Sequence, residues 1–184
     1  EIMHSLMRLF GPEDWTVCRG AHLLSFADNH DVTRIASILN DERCLPLVYT
    51  LVFTMPGIPC VYYGSEWGIE GRKEDGDDAL RPQIDKVLFN EISEFISKVA
   101  RIHRESKALC YGNFNILHLT NKQLVFERVC DDERMIVLIN ADENEYKAYF
   151  DANVDCGTEI ITGTSFDFSS GSIMPAYSVQ YVKC

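Results

Sequence analysis

Asp28-Asn29-His30-Asp31, with Arg34 three positions on, gathers two carboxylates, an amide, an imidazole and a guanidinium into one short stretch. The group stands where an apolar run, His22–Asp28, ends, and that run reads as a buried strand. Parallel-sheet proteins place their ligands at the carboxyl ends of strands, so the location suits a binding or catalytic site. A second account fits the same residues. Asp31 caps the helix that follows, His30 is a satisfied half-buried histidine, and Arg34 is a surface charge. Short triplets recur by chance, and on these residues alone the structural account is the stronger. Glu66 is read, on spacing, as a structural residue of a turn. Other chemistries fail on pattern. Gly64-Ser65-Glu66-Trp67-Gly68 sets its serine one place early for a nucleophile elbow. The five histidines are not at metal-ligand spacing, and no glycine-rich nucleotide loop occurs.

The elements that must position these residues fall into two halves. Residues 1–10 put Ile2, Met3, Leu6, Met7 and Phe10 on one helical face, and Gly11-Pro12 stops the helix. After the strand at His22–Asp28, Val32–Leu39 predicts a short helix and Cys44–Met55 a second. Ile58–Tyr63 predicts another buried strand, closed by Gly64. Gly68–Asp85, rich in glycine and charge, reads as a long loop, and loops of that length are usually functional or disordered. Leu88, Ile92, Phe95, Ile96, Val99 and Ile102 predict a helix from Val87 to about Ser106, with Asp85 as its N-cap. Beyond Gly112 the period changes to two. Asn113–Thr120, Gln123–Cys130, Arg134–Ala141, Tyr146–Asp151, Thr158–Thr162 and Ser172–Lys183 predict strands. The expected division is residues 1–110 and 111–184. Two parallel strands cannot make a stable sheet alone, so the first half is expected to be the end of something larger.

Composition narrows the function classes. The 184 residues hold 17 Lys and Arg against 28 Asp and Glu, a net charge of −11. Nucleic acid and anionic membrane surfaces are therefore not expected partners. The most apolar stretch, Leu45–Tyr63, is interrupted by three prolines and a glycine, so it supplies no membrane span. The first residues show no secretory signal. Seven scattered cysteines, never spaced C-x-x-C, point to reduced thiols and a cytoplasmic location.

Taken together, Phe26-Ala27-Asp28-Asn29-His30-Asp31-Val32-Thr33-Arg34, then Met55-Pro56-Gly57-Ile58-Pro59 through Tyr62-Tyr63-Gly64 and Glu66, then a helix carrying Arg101-Ile102-His103-Arg104 and a β-domain, resemble the α-amylase family of glycoside hydrolases. The resemblance covers essentially the whole chain. It implies the fold class α/β plus all-β: the C-terminal part of a (β/α)8 TIM barrel, about strands 7 and 8 with their helices, followed by a small antiparallel β-sandwich domain. In that family one carboxylate is nucleophile, another general acid/base, and a third binds sugar hydroxyls and stabilises an oxocarbenium-like transition state. Asp31 matches the third. The resemblance implies that His30 and Asn29 bind substrate, that Arg34 positions Asp31 or the helix start, and that Glu66 belongs to the exit turn. Arg81, at the end of the charged loop, is a weaker substrate-contact candidate, and Tyr62, Tyr63 and Trp67 are candidates to stack on sugar rings. The loop ending in Ala79-Leu80-Arg81-Pro82 is most similar to neopullulanases, cyclomaltodextrinases and maltogenic amylases. The implied substrate is an α-glucan or maltooligosaccharide; the alternatives are an α-glucosidase or oligo-1,6-glucosidase, or a non-catalytic glucan-binding or structural piece. The nucleophile and general acid are expected upstream of Glu1, so the 184 residues alone are expected to be inactive. No cofactor or metal is expected here, and calcium, where the family binds it, is expected upstream. Exposed barrel strands would favour a homo-oligomer.

Overall fold

A computed structural model describes residues 2–87 and 89–184, with the side chain of Ile2 left out. Leu88, expected on a helical face, lies outside the described residues. The chain opens with α1 (Ile2–Phe10), ended by the Gly11 N–H donating to the Met7 carbonyl. Two very short strands, β1 (Leu24–Ser25) and β2 (Ile58–Pro59), pair in parallel, Leu24 beside Ile58. Between them lie α2 (Ile35–Ile38) and α3 (Leu45–Thr54), the latter with Pro46 in its first turn, where a missing N–H costs nothing. Both strands are far shorter than the apolar runs that predict them. A barrel strand draws its hydrogen bonds from neighbours on both sides, and each of these has one.

The charged stretch after β2 is not a featureless loop. It holds single helical turns at Ser65–Trp67 and Lys73–Asp75, then α4 (Asp77–Leu80). Side chains of the α2 region lace it down: Thr33 Oγ1 accepts from the Lys73 N–H at 3.0 Å, and Ser37 Oγ from the Gly71 N–H at 2.9 Å. The long helix α5 (Glu91–Glu105) starts later than Val87. Asn90, not Asp85, is its N-cap, in a reciprocal capping box with Ser93. A further helix, α6 (Lys107–Tyr111), is capped by Ser106 and leads into the sheet.

Strands β3 (Asn113–Leu119), β4 (Gln123–Cys130), β5 (Glu133–Asn140), β7 (Cys156–Glu159), β8 (Thr164–Asp167) and β10 (Ser178–Lys183) form one antiparallel sheet in the order β3-β4-β5-β10-β7-β8. A two-stranded sheet, β6 (Tyr146–Ala148) with β9 (Ser172–Met174), lies against it. The run Ser172–Lys183, expected as one strand, is two, broken at Pro175. Strand alternation sorts the core. Leu124, Phe126, Met135, Val137, Ile139 and Tyr181 face the helices, while Val125, Ile136, Leu138 and Val182 face the small sheet.

The helix-facing core is shared by both halves. It runs from Leu45, Tyr49, Val52 and Phe53 of α3 through Val99 of α5 and Leu109 of α6 to the sheet. Two buried polar links cross it. Tyr181 Oη sits 3.0 Å from Thr50 Oγ1. Arg128, 1% exposed, donates from NH1 to the Thr54 carbonyl at 2.6 Å and from NH2 to the Gly112 carbonyl at 2.9 Å. Burial pulls its pKa down to about 10, still far above neutrality.

Candidate functional site

The segment after β1 turns sharply, because Asn29 Oδ1 accepts the Asp31 N–H at 2.8 Å. The turn lifts His30 and Asp31 into solvent as a pair, His30 Nε2 lying 3.2 Å from Asp31 Oδ2. From the end of α4, fifty residues on, Arg81 reaches the same place. Its NH2 lies 3.5 Å from Asp31 Oδ1 and donates to the His30 carbonyl at 3.4 Å. The three side chains remain 53%, 63% and 44% exposed in the order His30, Asp31, Arg81. Sequence separation hid this meeting of Asp31 with Arg81. An exposed carboxylate flanked by an imidazole and a guanidinium offers acceptor oxygens to a hydroxyl-rich ligand and two donors beside them. Asn29 is nearby, but its carbonyl oxygen is occupied by the turn.

Beneath this surface lies a buried polar layer. Asp28, 2% exposed, accepts the Ile35 N–H at 2.8 Å and the Ser65 hydroxyl at 2.6 Å. The carboxylate at the start of α2 is therefore Asp28, not Asp31. Sequence reasoning passed over it, although its place at the head of Asp28-Asn29-His30-Asp31 was the available signal. Arg34 is fully buried and does not touch Asp31. Its Nε lies 3.5 Å from Asp28 Oδ2, near enough for charge attraction, while NH2 donates to the Tyr63 carbonyl at 2.7 Å and NH1 to the Leu80 carbonyl at 3.3 Å. The guanidinium also stacks over Tyr62, 4.6 Å from the ring centre. Arg34 thus pins the exit of β2 and the last turn of α4, from which Arg81 projects.

The neighbours leave room for it. Gly64 has φ 86°, in the left-handed region, and a Cβ there would come within 2.9 Å of Arg34 NH2. At Gly71 a Cβ would collide with the Ala79 carbonyl and crowd the Arg34 stem at 3.1 Å.

Glu66 does not join Asp31. It sits in the turn Ser65–Trp67, with Oε2 buried and without a hydrogen-bond partner. Tyr49 beneath it is 1% exposed, and burial, then the Asp28 charge, drives its phenol pKa upward. Tyr62 is half-buried over Arg34 and Tyr63 is exposed, so neither is core. Trp67 lines a separate cleft. Among the described residues no group of three or more His, Cys, Asp or Glu is placed to hold a metal ion, and no helix is long and apolar enough to cross a membrane.

The family described as "Alpha amylase, catalytic domain" matches residues 13–112, a span that contains Asp28, His30, Asp31, Arg34, Glu66 and Arg81. A cyclomaltodextrin glucanotransferase of Bacillus sp. (strain 1011) is 27% identical over 121 residues, 66% of this chain and 17% of its own length. A cyclomaltodextrinase of Bacillus sp. is 27% identical over 124 residues, 66% of this chain and 22% of its own. The chain thus spans about a fifth of the length of these relatives. Among solved structures, the α-amylase from Geobacillus thermoleovorans, complexed with acarbose, superposes with a TM-score of 0.79 over 88% of this chain and 38% of that one, at 23% identity, which shows the fold. The family match takes in more than half of the chain, and with it both parallel strands and the Asp31 turn: the chain belongs to the α-amylase family.

Proposed function

We propose that the protein acts on the α-1,4 bonds, and secondarily the α-1,6 bonds, of maltodextrins or cyclodextrins by a retaining mechanism. Asp31 is the carboxylate that grips sugar hydroxyls and strengthens its hold as the transition state forms. His30 and Arg81 complete the contact, Asn29 holds the turn, and Arg34 supports from below. The observation that carries this reading is the convergence of Arg81 on Asp31 and His30 at the carboxyl end of a parallel strand. The named relatives supply the substrate class, and the glucanotransferase among them favours a second outcome, transfer of the glycosyl group to another sugar instead of water. The nucleophile and the acid/base are assigned to none of these 184 residues, so we propose that this chain alone releases no sugar. A division at 110/111, a cytoplasmic location resting on seven unpaired thiols, and self-association through the barrel strands belong to the same proposal.

In the complete enzyme, Asp31→Asn keeps size and a hydrogen bond but loses the charge. It is expected to lower kcat at least about 100-fold, as when one transition-state stabiliser is removed, with thermal stability unchanged. Turnover of maltooligosaccharides near that of the parent would remove Asp31 from the mechanism. The ratio of cyclodextrin to linear products from starch separates transfer from hydrolysis.

A further inference from the structure

His30 and Asp31 ride at the tip of a short loop whose two ends are joined by one hydrogen bond. Asp28 Oδ2 accepts the Ile35 N–H at 2.8 Å and so closes residues 28–35 into a ring. The side chain of Arg34, the residue before α2, caps nothing, and the first N–H of a helix has no partner within it. The Ile35 N–H therefore depends on Asp28. The far limb of the loop has further ties: the Arg34 N–H donates to the Gly71 carbonyl at 2.8 Å, and Thr33 Oγ1 accepts from Lys73. The near limb is tied to the layer below it through the Asp28 carboxylate.

The other oxygen of that carboxylate, Oδ1, takes the Ser65 hydroxyl at 2.6 Å. Ser65 is a firm anchor. It is 1% exposed, it follows Gly64, which turns the chain out of β2, and its N–H donates to the Tyr62 carbonyl at 3.0 Å.

The Asp28 carboxylate is also contested. Arg34 Nε is buried, makes no hydrogen bond and lies 3.5 Å from Oδ2. A buried donor left unpaired is costly, so Arg34 draws the carboxylate toward itself. A small rotation about the Asp28 Cβ–Cγ bond would give Nε its acceptor and take Oδ2 from Ile35. The Ser65 hydroxyl opposes that rotation, because a short charge-assisted bond on Oδ1 fixes the plane of the group. Without Ser65, Arg34 Nε gains a partner and Ile35 loses one. The loop then opens at its neck, and the carboxylate at its tip moves.

We propose that Ser65 is a positioning residue for Asp31: its hydroxyl locks the Asp28 carboxylate onto the Ile35 N–H and so sets where the Asp31 oxygens meet the sugar. This rests on the reading of Asp31 given above. In the complete enzyme acting on maltotetraose, Ser65→Ala is expected to lower kcat at least about tenfold, since misplacing a catalytic group by about 1 Å can cost about 100-fold. KM should stay within about twofold, because the grip of Asp31 is greatest in the transition state. The Ile35 amide should exchange at least about tenfold faster, having lost its acceptor. In an Asp31→Asn background, Ser65→Ala should lower kcat by less than about twofold more, because the group it positions is already disabled. Should Ser65→Ala fail to fold, Ser65→Cys, close in shape but a weaker donor, is expected to lower kcat at least about threefold at unchanged KM. A fall in Tm with kcat unchanged marks Ser65 as structural alone and overturns the proposal. Unchanged protection at Ile35, or a further tenfold loss in the Asp31→Asn background, overturns it too. If Asp31→Asn is impaired and Ser65→Ala is not, this proposal alone fails. Parental turnover in Asp31→Asn instead removes the reading of Asp31, and the proposal with it.

Discussion

A buried guanidinium has to place its donors on protein groups, and Arg34 gives NH2 to the Tyr63 carbonyl after β2 and NH1 to the Leu80 carbonyl in α4, while its Nε faces the Asp28 carboxylate after β1 at 3.5 Å as an ion pair without a hydrogen bond. Arg34→Met would leave the Asp28 carboxylate buried without its counter-charge and two carbonyls without donors. Removing one partner of a buried ion pair costs about 3–5 kcal/mol, far more than losing an exposed one. Urea unfolding is expected to show a loss of that order, and Arg34→Lys a smaller one, because an ammonium cannot reach all three segments. A loss below about 1 kcal/mol in Arg34→Met would show the pin to be idle. At this scale the sequence was half legible. Asn29, His30 and Asp31 announce themselves by adjacency. The parts played by Asp28 and Arg81 depend on contacts that cross about 40 and 50 positions of chain, which no local pattern encodes.

Helix α5 docks on α3 through one polar contact as well as through its apolar stripe. His103 Nδ1 lies 2.7 Å from the Phe53 carbonyl, with Cys110 Sγ 3.7 Å from Nε2. Burial lowers the His103 pKa below its ordinary 6.5; the carbonyl opposes the shift, and nearby Arg128 adds to it. The neutral ring is therefore favoured in the folded chain, and the unfolded chain binds more protons below pH 6.5. Stability is full above that value and declines as pH falls from 6.5 through the lower folded pKa. His118, lowered by burial too, acts in the same direction. The expected result is a Tm lower at pH 5.5 than at pH 7.5, with a smaller drop in His103→Gln. Equal drops in both proteins would discard the assignment. Elements were legible where their own residues decide them. The two-residue period of β4 and β5 and the stripe of α5 could be read directly. The α5 start was misplaced because Asp85 and Asn90 both look like caps, and only the Ser93 reply identifies the true one. The break between β9 and β10 was marked by Pro175, which cannot donate to a ladder.

For the whole molecule, the two parallel strands are the unusual feature. Leu24 is 59% and Ile58 57% exposed, with Leu23 and Phe26 beside them, although the sequence reads as buried strand. Such a patch, next to unpaired strand edges, invites association. Light scattering of the 184-residue chain at micromolar concentration is expected to show species larger than a monomer. A strict monomer, with Leu23–Phe26 amides protected from exchange as well as those of β4 and β5, would contradict this. The opposite end of the strand–helix half is closed tightly. Arg128 reaches out of the sheet to hold the last turn of α3, Tyr181 does the same to Thr50, and Leu109 and Phe114 sit in one core on either side of the junction. The change of grammar near residue 110 is consequently no hinge. Tilting the sheet would drag the end of α3 with it, so the antiparallel sheet is a buttress rather than an arm, and it keeps its bearing on the parallel strand that α3 leads into.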